Sequence, residues 1–370
     1  MNGQLFFLIT ILLLNVNLIT VSHQAGSCPD PDVNDGPYIF NQDGKIRIWW
    51  IKSNMLREDF VTQKNFKEIK NRFNFLFDYR DLTDSSLLIP TPRQIYRKVD
   101  SIAVLSDIHG EYYTYVNLLK ANDIVDENLN WNFGKGHLVV LGDVFDRGEM
   151  VTEVLWHLFG LGKKASRAGG MVHLLFGNHE FMVLNQNLSY TNDKYRKVEE
   201  ISGARYFDFY SKNSVLGKWL RSRPLVITIN DIIFVHGGIS IEMVHREIGL
   251  SRTNQSFSKM IAGKEIRSIQ EFEQLSFLIK NNGPLWYRGY FTDGYFTESR
   301  LDSILGFYGK NHIVVGHTPD STIKSRFYNK ILGVDSGIGN GNSGEMLIIK
   351  DGIFYKGSFT GRRTELSAVY

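Results

Sequence analysis

The chain is nearly without thiols: of its 370 residues, only Cys28 carries one. No intramolecular disulfide can form, and a structural zinc held by several thiolates is excluded. A dominant charge is also missing. Against 39 Asp and Glu stand 42 Lys and Arg, a formal net charge of +3. That is too small to gather nucleic acid or acidic lipid by bulk attraction. There is no long basic run, no heptad pattern, no low-complexity tract and no internal repeat. No Asp, Glu, Lys or Arg precedes Asp30.

This last absence coincides with a nearly continuous apolar run from Leu5 to Val21, broken by Asn15, Asn17 and threonines. The run is marginal as a membrane span and long for the core of a secretory signal. Small residues follow at Ala25, Gly26 and Ser27. Residues 1–27 are read as an export signal or membrane anchor, although Met1 to Gln4 supply no basic side chain. Ala25-Gly-Ser-Cys28 loosely resembles a bacterial lipobox that lacks its usual aliphatic residue. Cys28 is thus a candidate for lipid attachment, with a free thiol or an intermolecular disulfide as alternatives. The expected location is exported, in the periplasm or cell envelope. Attachment there would run through a Cys28 lipid or the N-terminal helix.

The rest has the profile of a soluble globular protein, 43% apolar and 22% charged. Residues 28–36 read as an exposed acidic tether. Tyr38-Ile-Phe and Ile46 to Ile51 flank Asn41-Gln-Asp-Gly-Lys45, which signals a β-hairpin. Residues 52–98 are charged and partly helical in pattern. From residue 99 to about 360, short apolar runs end in Gly, Asp or His and lead into helical spacing. This predicts an α/β fold with ligands at the carboxyl ends of strands. Residues 181–222 look helical and carry no nameable chemistry, and 241–310 look like a helical insertion. The simplest division is one catalytic domain, 99–360, with a small appendage over 28–98.

Five loops follow strand-like runs and carry hard oxygen or imidazole donors beside glycine. They are Ser106-Asp-Ile-His-Gly110, Gly142-Asp-Val-Phe-Asp-Arg-Gly148, Gly177-Asn-His-Glu180, Val235-His-Gly-Gly238 and Gly316-His-Thr318. Taken singly, each has a plain explanation: a strand-end cap, a turn with a local salt bridge, or a helix start. All five in this order point instead to a dinuclear metal site.

The set resembles the calcineurin-like metallophosphoesterases, in particular their phosphoprotein phosphatase branch, over about residues 100–340. Ser106 stands where that pattern has its first glycine. Leu285-Trp-Tyr-Arg-Gly-Tyr290, together with the export signal, resembles the bacterial Shewanella-like phosphatases. The resemblance implies a β-sandwich flanked by helices. It also implies two divalent ions, Mn, Fe or Zn, roughly 3.5–4 Å apart. Asp107 and His109 would hold the first ion, Asp143 would bridge both, and Asn178, His236 and His317 would complete the second. A water acidified by the pair would attack phosphorus. His179, oriented by Asp146, would protonate the leaving oxygen, while Arg147 and Arg288 clamp phosphate oxygens.

Other residues invite blander readings. Glu180 is expected to be structural, His173 to be a core histidine and His312 to be a strand residue. Trp49 and Trp50 suggest hairpin packing. Tyr287 either lines the substrate pocket or packs beside it. Asp335-Ser-Gly-Ile-Gly-Asn-Gly lacks a Walker lysine and reads as a structural turn near the site. The function so implied is hydrolysis of phosphate monoesters by a protein phosphatase acting on phosphoserine/threonine or phosphotyrosine, with a phosphorylated protein or a small phosphomonoester as partner and no nucleic acid. The alternatives are an exported phosphatase for nucleotides or dinucleoside polyphosphates, or a catalytically inactive binding module of the envelope.

Overall fold

In the computed structural model, residues 32–83, 94–264 and 268–367 are described. The expected export signal and Cys28 lie outside them. The first three strands, β1 (Asp35–Gln42), β2 (Lys45–Lys52) and β3 (Met55–Val61), form an antiparallel meander. The hairpin between β1 and β2 matches the turn signal at Asp43-Gly44. The third strand was not legible, because Arg57, Glu58 and Asp59 are exposed and leave no apolar alternation. It is held by its backbone pairing to β2 and by an ion pair between Arg47 and Glu58.

Twelve further strands follow in chain order. They are β4 (Ile95–Tyr96), β5 (Ser101–Leu105), β6 (His137–Val140), β7 (Met171–Leu174), β8 (Val226–Ile229) and β9 (Ile232–Val235), then β10 (His312–Val315), β11 (Lys324–Arg326), β12 (Ile331–Gly333), β13 (Met346–Lys350), β14 (Ile353–Gly357) and β15 (Arg363–Glu365). They build two six-stranded sheets, ordered β15-β14-β13-β5-β6-β7 and β11-β12-β10-β9-β8-β4. Strands β5, β6 and β7 run parallel, as do β9, β10 and β12.

Strands β5, β6, β8, β9 and β10 read as near-continuous apolar runs because both of their faces are covered. Ile102 and Val104 of β5 meet Phe234, Val314 and Leu347 in the core between the sheets. The alternate residues, Ala103 and Leu105, face a second core shared with helix 151–167 and with Tyr38 and Ile48 of the N-terminal meander. On the far side, Val235 and Ile313 pack under the helices of 241–308, through Met243 and Leu301. The result is the helix-flanked β-sandwich that the sequence implied.

One segment differs from expectation. Asp35, read as part of an exposed tether, is buried at the start of β1. Its carboxylate accepts a hydrogen bond from Tyr38 and pairs with Lys194 Nζ at 2.7 Å. A charge can enter the interior when such a partner meets it there. Trp49 and Trp50 pack on Phe40 and Phe73, consistent with hairpin packing.

Candidate metal centre

The parallel strands deliver their chemistry at their carboxyl ends. β5 leads to Asp107 and His109, β6 to Asp143, β7 to Asn178, β9 to His236 and β10 to His317. The five loops then tie one another down. Asp107 N–H donates to Gly142 O at 3.1 Å, His109 N–H to Asp143 O at 2.9 Å, and Gly316 N–H to His236 O at 2.8 Å. The carboxylates take part as well. His179 N–H donates to Asp143 Oδ1, and His317 N–H to Asp107 Oδ2, each at 3.0 Å.

Backbone strain is concentrated here. Asp107, His109, Asp143, Asp146, Arg147 and His317 have φ of 55, 47, 55, 70, 66 and 62°. Residues with a Cβ seldom occupy this left-handed region, and such strain persists only where neighbours enforce it. Gly316 is required for a different reason, close approach. A Cβ there would collide with Ser106 Oγ and lie 2.6 Å from Asp107 Oδ2.

Asp143 is the centre of the arrangement. Its Oδ2 lies 3.3 Å from His236 Nε2, 3.9 Å from His109 Nε2 and 3.9 Å from His179 Nε2. His109 Nε2 is also 3.9 Å from Asp107 Oδ1, and His236 Nε2 is 2.9 Å from Asn178 Oδ1. Ligand atoms of Asp143, His236 and His317 all lie within 4.8 Å of one another, and so do those of His109, Asp143 and His179. One carboxylate thus belongs to two clusters, which is the geometry a bridging ligand needs.

The residues fit a pair of cations. His109 Nδ1 bonds to Phe145 O at 2.7 Å and His236 Nδ1 to Leu141 O at 3.0 Å. A carbonyl only accepts, so each Nδ1 carries its proton and turns Nε2 toward the site. His109 Nε2 and His317 Nε2 are buried without a hydrogen-bond partner among the described residues. Asp107, His109, Asp143, Asn178, His236 and His317 are all at most 4% exposed.

The electrostatics agree with this geometry. Burial lowers His109, and burial followed by the His236 charge takes His317 down to about 2. Burial also pulls on His236, but the Asp143 carboxylate outweighs it and raises His236 to about 9. Burial and then the Asp107 charge push Asp335 up to about 8. Two imidazoles held neutral, His109 and His317, and carboxylates crowded enough to draw a proton onto His236 make a site that favours positive charge.

His179 is placed differently. Its Nδ1–H donates to Asp146 Oδ2 at 2.6 Å, leaving Nε2 on the side of Asp143. Burial lowers its pKa, but the Asp146 hydrogen bond and the charge of Asp143 reverse this, and the net shift is upward. The arrangement suits a proton donor rather than a ligand. Arg147 and Arg288 are exposed at the rim. The Arg147 charge opposes protonation of His109 and His179, and that of Arg288 opposes protonation of His317.

Most of the remaining residues follow the blander readings. Glu180 accepts backbone N–H bonds from Asp143 and Gly177 at 2.8 Å and from Val144 at 2.7 Å, so it is structural. His173 pairs with His137 at 3.0 Å inside the core, and His312 Nδ1 bonds to Asn329 O at 2.8 Å. Tyr287 is buried, with its ring edge-on to that of Tyr290. The Asp335 loop packs on the site, where a Cβ on Gly339 would lie 2.8 Å from His109 Cδ2.

Sequence reasoning passed over residues 190–192. The Tyr190 ring meets His179 edge-on at 5.4 Å, and Thr191 Oγ1 donates to Asp146 Oδ1 at 2.9 Å. Asn192 caps helix 193–202 by accepting from Lys194 N–H. A Thr-Asn-Asp cluster before a helical stretch was the available signal.

Residues 101–321 match the calcineurin-like phosphoesterase family. A solved relative is a cold-active protein-tyrosine phosphatase from a psychrophilic Shewanella species. It is 37% identical, with a TM-score of 0.80, and the match covers 90% of this chain and 99% of that one. Shewanella-like protein phosphatase 1 of Plasmodium berghei is 29% identical across 66% of this chain and 70% of its own. Human serine/threonine-protein phosphatase 5 is 28% identical, across 57% of this chain and 37% of its own.

Proposed function

This chain belongs to the calcineurin-like phosphoesterase family and hydrolyses phosphate esters, and from that premise we propose that it is a protein phosphatase favouring phosphotyrosine. The observation that carries the reading is the single oxygen Asp143 Oδ2, shared between the His236 side and the His109 side of the site. The preference for tyrosine rests on likeness to the Shewanella protein-tyrosine phosphatase along 90% of the chain.

Each residue then has a role. Asp107, His109 and Asp143 would hold one divalent ion, and Asp143, Asn178, His236 and His317 would hold the other. Mixed oxygen and imidazole donors suit Mn, Fe or Zn. Such a pair, when bound, would supply a water acidic enough to lose a proton near neutral pH and positive charge to offset that of the phosphoryl group. Arg147 and Arg288 present guanidinium forks from the rim to phosphate oxygens. His179 Nε2 gives its proton to the ester oxygen as the phosphorus–oxygen bond breaks. Asp146 keeps the Nδ1 proton in place, so that Nε2 is the nitrogen that gives up its proton.

The apolar run Leu5–Val21 supports export to the envelope, with Cys28 as the point of lipid attachment. Among the described residues no helix is long and apolar enough to cross a membrane. Radiolabelled palmitate incorporated into the full chain, and lost in Cys28→Ala, tests the anchor.

The substrate is tested with metal-reconstituted protein on a phosphotyrosine peptide, a phosphoserine peptide and a nucleoside monophosphate. A clearly higher kcat/KM on phosphotyrosine supports the reading. Equal or better turnover of the nucleotide replaces it with a scavenging role.

A further inference from the structure

Asp146 is a buried carboxylate with two different partners. Oδ2 takes the His179 Nδ1 proton at 2.6 Å, and Oδ1 takes the Thr191 hydroxyl at 2.9 Å. Asp146, His179 and Thr191 are 1%, 5% and 8% exposed, so water offers little substitute for either bond. A carboxylate gripped at one oxygen can still swing about its Cα–Cβ and Cβ–Cγ bonds. One gripped at both presents a fixed plane to the imidazole. We propose that Thr191 is a positioning residue for proton donation, acting through Asp146 on His179. The inference rests on His179 being the proton donor.

The segment that carries Thr191 is fastened on both sides. Arg147 N–H donates to Tyr190 O at 3.0 Å, and Asn192 Nδ2 donates to Arg147 O at 2.7 Å. These bonds bracket Thr191 and hold the left-handed backbone of Asp146 and Arg147 from outside their own loop. Two residues further on, Lys194 Nζ donates to Glu149 O at 2.7 Å and pairs with Asp35 at 2.7 Å. The Asp35 side chain is fully buried, and that of Lys194 is 14% exposed. The N-terminal meander, which lies outside the region matching the family, therefore anchors the segment that orients Asp146.

A hydroxyl aimed at Asp146 matters only when the leaving oxygen needs a proton. Phenoxide is a strong enough base to need one, whereas dinitrophenoxide departs without it. The test compares phenyl phosphate with 2,4-dinitrophenyl phosphate on metal-loaded parent, Thr191→Val, Thr191→Ser and His179→Asn. Thr191→Val is expected to lower kcat on phenyl phosphate about tenfold, as for loss of a buried bond to a charged group. KM, metal content and turnover of the dinitrophenyl ester stay within about twofold, and Thr191→Ser restores the rate. An equal loss on both esters, or no loss, overturns the proposal. If His179→Asn is itself indifferent to the leaving group, the proton-donor reading fails and takes the proposal with it. If His179→Asn discriminates and Thr191→Val does not, only the role of Thr191 falls. Should the valine variant not fold, Thr191→Ala against Thr191→Ser in the same assay decides.

Discussion

Glu180 Oε2 accepts the backbone N–H of Asp143 at 2.8 Å, so a buried carboxylate that touches no substrate fixes the residue at the centre of the site. Its other oxygen takes Val144 N–H at 2.7 Å, which holds the turn after β6 in its left-handed geometry. Burial, followed by the Asp143 charge, raises Glu180 to about 7. Replacing it with glutamine keeps the shape but puts a donor where an acceptor is needed. Glu180→Gln should fold and bind Mn about 10–100-fold more weakly in a calorimetric titration. Undiminished affinity would mean that the backbone around Asp143 needs no such support.

His179 is predicted to act only at the proton-transfer step. His179→Asn should retain both metals by elemental analysis and lower turnover of a phosphotyrosine peptide by about 10²–10⁴-fold. Loss of metal in this variant would make His179 a ligand, in keeping with its distance of 3.9 Å from Asp143.

The two rim arginines should separate from the histidines kinetically. Arg288→Ala is expected to raise KM and the inhibition constant for inorganic phosphate by about tenfold, with metal content unchanged. If neither changes, the exposed Arg288 belongs to the surface rather than the site.

A buried histidine away from the site makes a prediction about pH and stability. His157 lies in the core with Nδ1 2.9 Å from the Tyr115 hydroxyl, and burial holds its pKa down to about 4. An unfolded chain would titrate it near about 6.5 and so binds more protons below that pH. The contribution of His157 to stability is therefore complete above about pH 6.5 and is lost as pH falls toward about 4. The thermal midpoint of the metal-loaded parent should drop across this window. His157→Gln should start lower and drop less, and an identical slope in the two proteins would refute the assignment.

What could be read in advance followed local chemistry. The strand runs ending in Asp107, Asp143, Asn178, His236 and His317 were visible because both faces of each strand are buried and each loop carries glycine. Strand β3 was not visible, since its exposed Arg57, Glu58 and Asp59 give no periodicity and its pairing to β2 rests on backbone bonds and one cross-strand ion pair. Asp35 was misread because its partner Lys194 is 159 residues away in sequence (194 − 35), and nothing local announces a buried ion pair. Thr191 was missed for the same reason: its worth lies in a bond to Asp146, 45 residues earlier. Composition can place a residue in a turn, but only the fold decides which distant group it meets.

The most direct measurement is metal stoichiometry and turnover of Asp143→Asn after reconstitution with Mn. The account predicts a folded protein that holds at most one ion and has lost phosphatase activity at least about 10³-fold, because the amide can no longer serve both sites as an anionic bridge. Two tightly bound ions with near-parental turnover would contradict it.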